Sequence, residues 1–248
     1  MSATLREYRR VICLIEGQNS PEHLNKYVID TIRLLDTNVK KIIDVGCGNG
    51  FQANLLKKAF PDVVLVGVDF SETSIKYLQS LENKIFDEVI LANSEKLPIQ
   101  DNYGDISLCM ENLEHLYYEE VINALTELKR VATYIIITIP TPLDVINKGW
   151  LEKEMQEALN DTIPLTQHDY RCLESCVHKS CIKTHSFFNA GFKQVYKTDG
   201  SNCYYVKSSD LDVSKIEVYG IKKAELPDTT DYKNKYLTLL YKSYTLTP

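Results

Sequence analysis

Apolar residues fall into two alternating rhythms along most of this chain. Leu24, Val28, Ile32 and Leu35 recur at helical spacing. They predict an amphipathic helix through Asp36, capped by Asn19 or Ser20 and opened by Pro21, a favoured first-turn residue. Five apolar runs follow at Lys40–Val45, Val63–Val68, Phe86–Leu91, Asp105–Met110 and Thr133–Ile139. They are continuous rather than alternating, as in strands covered on both faces. Helical patterns separate them. Leu55, Leu56 and Ala59 mark one, stopped by Pro61; Ile75, Leu78 and Leu81 mark a second behind a Ser71 cap; Val121, Leu125 and Leu128 mark a third, ending at Arg130. Strand alternating with helix over short connections predicts an open parallel sheet with helices on both faces and right-handed crossovers. Ligands of such sheets bind at the carboxyl ends of the strands.

The rhythm changes after Pro142. Lys148–Asn160 reads as a helix, and Thr166–His185 is polar and rich in cysteine. Phe187–Phe192 reads as a helix end, a glycine stop at Gly191 and a strand start. Residues 192–198 and 236–245 are strand-like, and the stretch between about 200 and 235 shows no clear period. Leu5–Arg10 predicts a short helix.

Composition narrows the class. The chain has 248 residues, 44% hydrophobic and 25% charged, enough for one sizeable domain. A net charge of −6 argues against a general nucleic-acid or anionic-membrane surface. No apolar run approaches the roughly 20 residues of a membrane span, and no signal peptide is expected. Seven scattered cysteines suit a reducing, cytoplasmic setting with free thiols. The oligomeric state is not legible.

The chemistry centres on Asp44-Val45-Gly46-Cys47-Gly48-Asn49-Gly50, where the first strand meets a tight turn that opens a helix. Glycines there allow close backbone approach, and a helix start offers unpaired N–H groups. Phe51 replaces the glycine that a dinucleotide fingerprint needs. Asp44 before the turn suits a ligand ammonium rather than a pyrophosphate. Asp69, Asn93-Ser94 and Met110-Glu111 fall at the ends of the next three strands.

Asp-x-Gly-x-Gly-x-Gly resembles motif I of the class I methyltransferases that use S-adenosyl-L-methionine. Leu97-Pro98, Leu113-Glu114-His115-Leu116, Glu127-Leu128-Lys129-Arg130-Val131 and Ala190-Gly191-Phe192 extend the resemblance over residues 20–198, closest to the small-molecule, type 11-like subgroup. The resemblance implies a Rossmann-like α/β fold, with a mostly parallel seven-stranded sheet and an antiparallel last strand. It also implies one domain over 1–248: a helical cap at 1–38, a cofactor-binding half at 39–140, and an acceptor-covering insertion with the last strands at 141–248.

Site roles follow from the same resemblance. Asp44 binds the methionine ammonium, and the turn from Gly46 through Cys47, Gly48 and Asn49 to Gly50 approaches the methionine and ribose. Asp69 takes the ribose hydroxyls and Phe70 covers one adenine face. Asn93 stands where the family usually has Asp and accepts from the adenine amino group, while the Ser94 N–H meets the ring. Met110 or Glu111 lies near the methionine part. An oxygen acceptor needs a base, for which the candidates are His168, beside Asp169, and His115. The expected function is methyl transfer to an oxygen or nitrogen of a small-molecule acceptor, such as a sugar or other metabolite. The alternatives are a protein or nucleic-acid methyltransferase, or an inactive cofactor-binding partner subunit. The tetrapeptide after strand four, Glu111-Asn112-Leu113-Glu114, lacks the Asn/Asp-Pro-Pro-Tyr form used on base amines. No metal is expected, although Cys172, Cys176, Cys181 and His185 form C-x3-C-x4-C-x3-H, a spacing that on a helix permits ligation.

Overall fold

A computed structural model describes residues 22–35, 38–141, 174, 177–197, 200–228 and 231–246. Helix α1 (Glu22–Leu34) is followed by β1 (Lys41–Val45), α2 (Phe51–Ala59), β2 (Val64–Asp69), α3 (Glu72–Ser80), β3 (Glu88–Leu91), β4 (Gly104–Met110), α4 (Tyr118–Val131) and β5 (Ala132–Pro140). Then come β6 (Ser180–Ile182), α5 (Thr184–Asn189), β7 (Lys193–Lys197), β8 (Ser201–Lys207), β9 (Val218–Gly220) and α6 (Tyr232–Thr245). The five expected strands and the helices between them form within a residue or two of their sequence bounds. Ser71 caps α3, accepting a hydrogen bond from the Ser74 N–H at 3.2 Å.

The main sheet has seven strands in the order β3-β2-β1-β4-β5-β8-β7. β1 to β5 pair in parallel, whereas β8 runs antiparallel to both β5 and β7. The reversal of strand order lies between β1 and β4, so the ends of those two strands frame a crevice. Two apolar layers cover the faces. Ile43, Val45, Ile135 and Ile137 pack with Leu125 and Leu128 of α4 on one side. On the other, Ile42, Leu65 and Leu108 pack with Val28 and Ile32 of α1 and Leu56 of α2. Adjacent residues of one strand serve opposite layers, which is why these strands read as unbroken apolar runs.

The C-terminal part departs from expectation in two places. Residues 236–245 belong to helix α6, not to a strand. Tyr236, Leu239, Leu240 and Ser243 are buried at helical spacing, and the Asp231 carboxylate accepts from the Asn234 N–H at 3.1 Å to cap the helix. The antiparallel strand of the sheet is β8, inside the stretch that showed no period. In addition, β6 and β9 form a separate two-stranded sheet. That small sheet is stitched to the segment after β4. The Lys179 N–H donates to the Glu114 carbonyl at 2.6 Å, Ser180 Oγ to the Leu113 carbonyl at 2.9 Å, and the Tyr118 N–H to the Ile221 carbonyl at 3.1 Å. The expected helices at 5–10 and 148–160, and the cap at Asn19 or Ser20, lie outside the described residues. Among the described residues no helix is long and apolar enough to cross a membrane.

Candidate active site

The glycine turn is left-handed at three points, with φ of 83° at Gly46, 51° at Gly48 and 79° at Gly50. L side chains rarely adopt this region. Space also forbids a side chain at Gly46, where a Cβ would stand 2.5 Å from the Asn112 side chain. The turn's own amides are largely engaged. Gly46 and Cys47 donate to the Val68 carbonyl at 2.8 and 3.1 Å, Gly48 to Asp69 Oδ2 at 2.9 Å, Gly50 to the Cys47 carbonyl at 3.0 Å, and Phe51 to Asn49 Oδ1 at 3.0 Å. The glycines therefore supply conformation and clearance, and these five N–H groups are not open donors as the turn's sequence suggested.

A cavity of about 350 Å³ opens beside this turn. Of the residues expected at the site, Gly46, Asp69, Phe70, Asn93, Ser94 and His115 line it. Phe70 is 61% exposed, a large apolar surface held at the rim. The walls also hold residues that sequence reasoning did not single out: Asn112, Tyr117, Glu174 and Lys179. Asn112 follows Glu111, whose own φ of 45° is a strained value for a non-glycine residue. Ser201 Oγ of β8 donates to Glu111 Oε2 at 3.1 Å, holding that bend against the far half of the sheet. Met110 and Cys47 do not line the cavity, and their side chains are buried in the apolar layer beneath.

Asp44 is 2% exposed, and its Oδ2 has no hydrogen-bond partner. Burial, then the charge of Asp69, pushes its carboxyl up to about 7. Asp69 is also raised by burial, opposed by the Ser71 and Gly48 N–H groups that bond its two oxygens. A buried carboxylate with a spare oxygen suits a cationic ligand group, and with the left-handed glycines this donor set fits an amino-acid-bearing nucleoside. His115 is held neutral. Burial lowers it well below the usual histidine range, helped by His178 and Lys179. Lys179 Nζ donates to the His115 carbonyl at 2.7 Å.

Comparison with known proteins agrees with this geometry. A family model described as a methyltransferase domain matches residues 43–133. Over residues 43–133 the chain is similar to the class I S-adenosylmethionine-dependent methyltransferases. The fatty-acid O-methyltransferase of Mycolicibacterium smegmatis is 26% identical to this chain over 127 residues, 49% of this chain and 46% of that one. A ubiquinone biosynthesis O-methyltransferase of Bordetella avium is 36% identical over 107 residues, 41% of this chain and 44% of that one. The chain thus spans about half the length of these curated relatives. The crystal structure of the PH0226 protein from Pyrococcus horikoshii shares the fold. Its TM-score is 0.51 at 17% identity, with 81% of this chain and 98% of that one covered.

Two expected site features involve other residues. His168, with Asp169, Cys172 and Cys176, lies outside the described residues. Cys181 and His185 do not share a helix face: Cys181 is buried in β6, while His185 sits in α5 and meets Glu217 at 3.2 Å.

Proposed function

We propose that this chain transfers the methyl group of S-adenosylmethionine to an oxygen or nitrogen of a small-molecule acceptor. The observation that carries this reading is the convergence of Asp69, Asn93-Ser94 and Gly46 on one cavity that continues to His115 and Tyr117. Asp44 and Asp69 would hold the amino and ribose ends of the cofactor, and Phe70 and Asn93 its base. When bound, that cofactor supplies a methyl group already activated on a sulfonium. What remains for the protein is to align an acceptor and exclude water. His115, neutral and on the cavity wall, would accept a hydrogen bond from the acceptor hydroxyl or amine and so orient its lone pair. His168 is the second candidate for that task. The segment from 141 onward would supply the acceptor cover. The relatives with O-methyltransferase names support an oxygen acceptor, and the net charge of −6 speaks against nucleic acid.

Calorimetric titration with S-adenosylhomocysteine tests the donor half. Wild type should bind one equivalent, and Asp69→Asn, which keeps an oxygen for a backbone N–H, should bind at least tenfold more weakly. No binding by the wild type would remove the proposal. Labelled donor offered with fatty acids, phenols and amines, and separately with protein and RNA, tests the acceptor half. Label confined to a macromolecule would overturn it.

A further inference from the structure

Glu114, His115 and His178 each present one donor atom, and these three atoms lie within 4.8 Å of one another. Two of them come from the turn after β4 and the third from the approach to β6. The backbone bond from Lys179 to Glu114 fixes the two segments together. The imidazoles meet edge to face, with centroids 4.9 Å apart. Glu114 is 1% exposed, and its Oε2 makes no hydrogen bond. Its Oε1 stands 3.7 Å from His115 Nε2, beyond hydrogen-bond reach but suited to two atoms facing a shared third partner. A buried carboxylate oxygen without a donor calls for a partner, and a counter-charge can be that partner.

We propose that Glu114, His115 and His178 hold one divalent ion of the zinc class, with a free coordination position turned toward the acceptor end of the cavity. Two imidazoles and a carboxylate form a nitrogen-rich set that suits zinc better than magnesium or calcium, which prefer oxygen throughout. Three protein ligands leave a position open. His115 lines the cavity, so with the ion present an acceptor hydroxyl could occupy that position, in place of a direct hydrogen bond to the His115 nitrogen that then ligates. The neighbouring charges are mixed. Lys179 opposes a cation here, while Glu111 adds negative potential at Glu114 and Glu174 lines the same cavity. The open position's role rests on the proposed acceptor chemistry; ion binding itself does not.

The test uses untagged protein, stripped with chelator and titrated with zinc. One equivalent should bind, and His178→Ala should lower the affinity at least tenfold while S-adenosylhomocysteine binding stays at the wild-type level. That second readout separates failure of the metal site from failure of the donor site. X-ray absorption on zinc-loaded wild type needs no variant. It should show two imidazole neighbours and no sulfur. Uptake well below one equivalent, wild-type affinity in a folded His178→Ala, or sulfur in the shell would overturn the proposal. The first would leave Glu114 a protonated core residue; the last would move the ion to the cysteines.

Discussion

Single residues at the donor end are constrained by conformation as much as by chemistry. Gly46 and Gly48 make a useful contrast. Both are left-handed, but a Cβ at Gly48 meets nothing within 4 Å, whereas one at Gly46 collides with Asn112. Gly48→Ala should therefore lose only the backbone term of about 1–2 kcal/mol. Gly46→Ala should lose more and also displace Asn112 into the cavity. Chemical denaturation of both variants, with S-adenosylhomocysteine titrations alongside, checks this. Equal losses in the two would show that the Asn112 contact has no consequence. The donor end was legible because its signals are local. Asp44, the three glycines and Asp69 lie within 26 residues at the ends of two adjacent strands. The engagement of the Gly46, Cys47 and Gly48 amides was not, because their acceptors, Val68 and Asp69, sit on another strand.

At the level of elements, legibility followed how each one is buried. β1, β2, β4 and β5 lie in the middle of the sheet and read as apolar runs. β8 is equally central, between β5 and β7, yet its sequence Ser201-Asn202-Cys203-Tyr204-Tyr205-Val206-Lys207 hides small polar groups among its buried residues. Helix α6 misled for the opposite reason. Its tyrosines and threonines favour strands by propensity, while its burial follows a helical stripe. The Asp231 cap three residues before Asn234 was the readable signal. α6 packs through Leu239 and Leu240 onto Tyr117, Val177 and Ile221, the underside of the acceptor end. Leu240→Ala, at a site 0% exposed, should cost about 2–5 kcal/mol. If the denaturation midpoint stays unchanged, α6 is not part of the cooperative unit.

For the whole molecule, Asp44 ties stability to pH. Its native carboxyl is pushed up to about 7 from an ordinary value of 3.8. Between those values the native state holds a proton that the unfolded chain has released, so stability falls as pH rises through that window and levels off above 7. At about 1.4 kcal/mol per unit the effect reaches roughly 4 kcal/mol as an upper bound. His115, held low, works the other way, its contribution growing as pH rises toward its ordinary value of 6.5. Comparison of wild type with Asp44→Asn isolates the Asp44 part. The melting temperature of the ligand-free variant should lose that downward slope between pH 5 and 7.5; parallel wild-type and variant curves would refute the assignment. The acceptor end escaped the sequence at this scale too. Its lining residues on three separate stretches, Asn112 to Glu120, Glu174 with Lys179, and Lys223, are brought together only by the tertiary fold. The stitching of β6 and β9 onto residues 113–118 has a practical corollary for redesign. The unit of exchange is bipartite: grafting a relative's 177–221 segment alone would leave the Leu113, Glu114 and Ile221 carbonyls facing mismatched partners. A chimera that trades acceptors must carry both pieces across together.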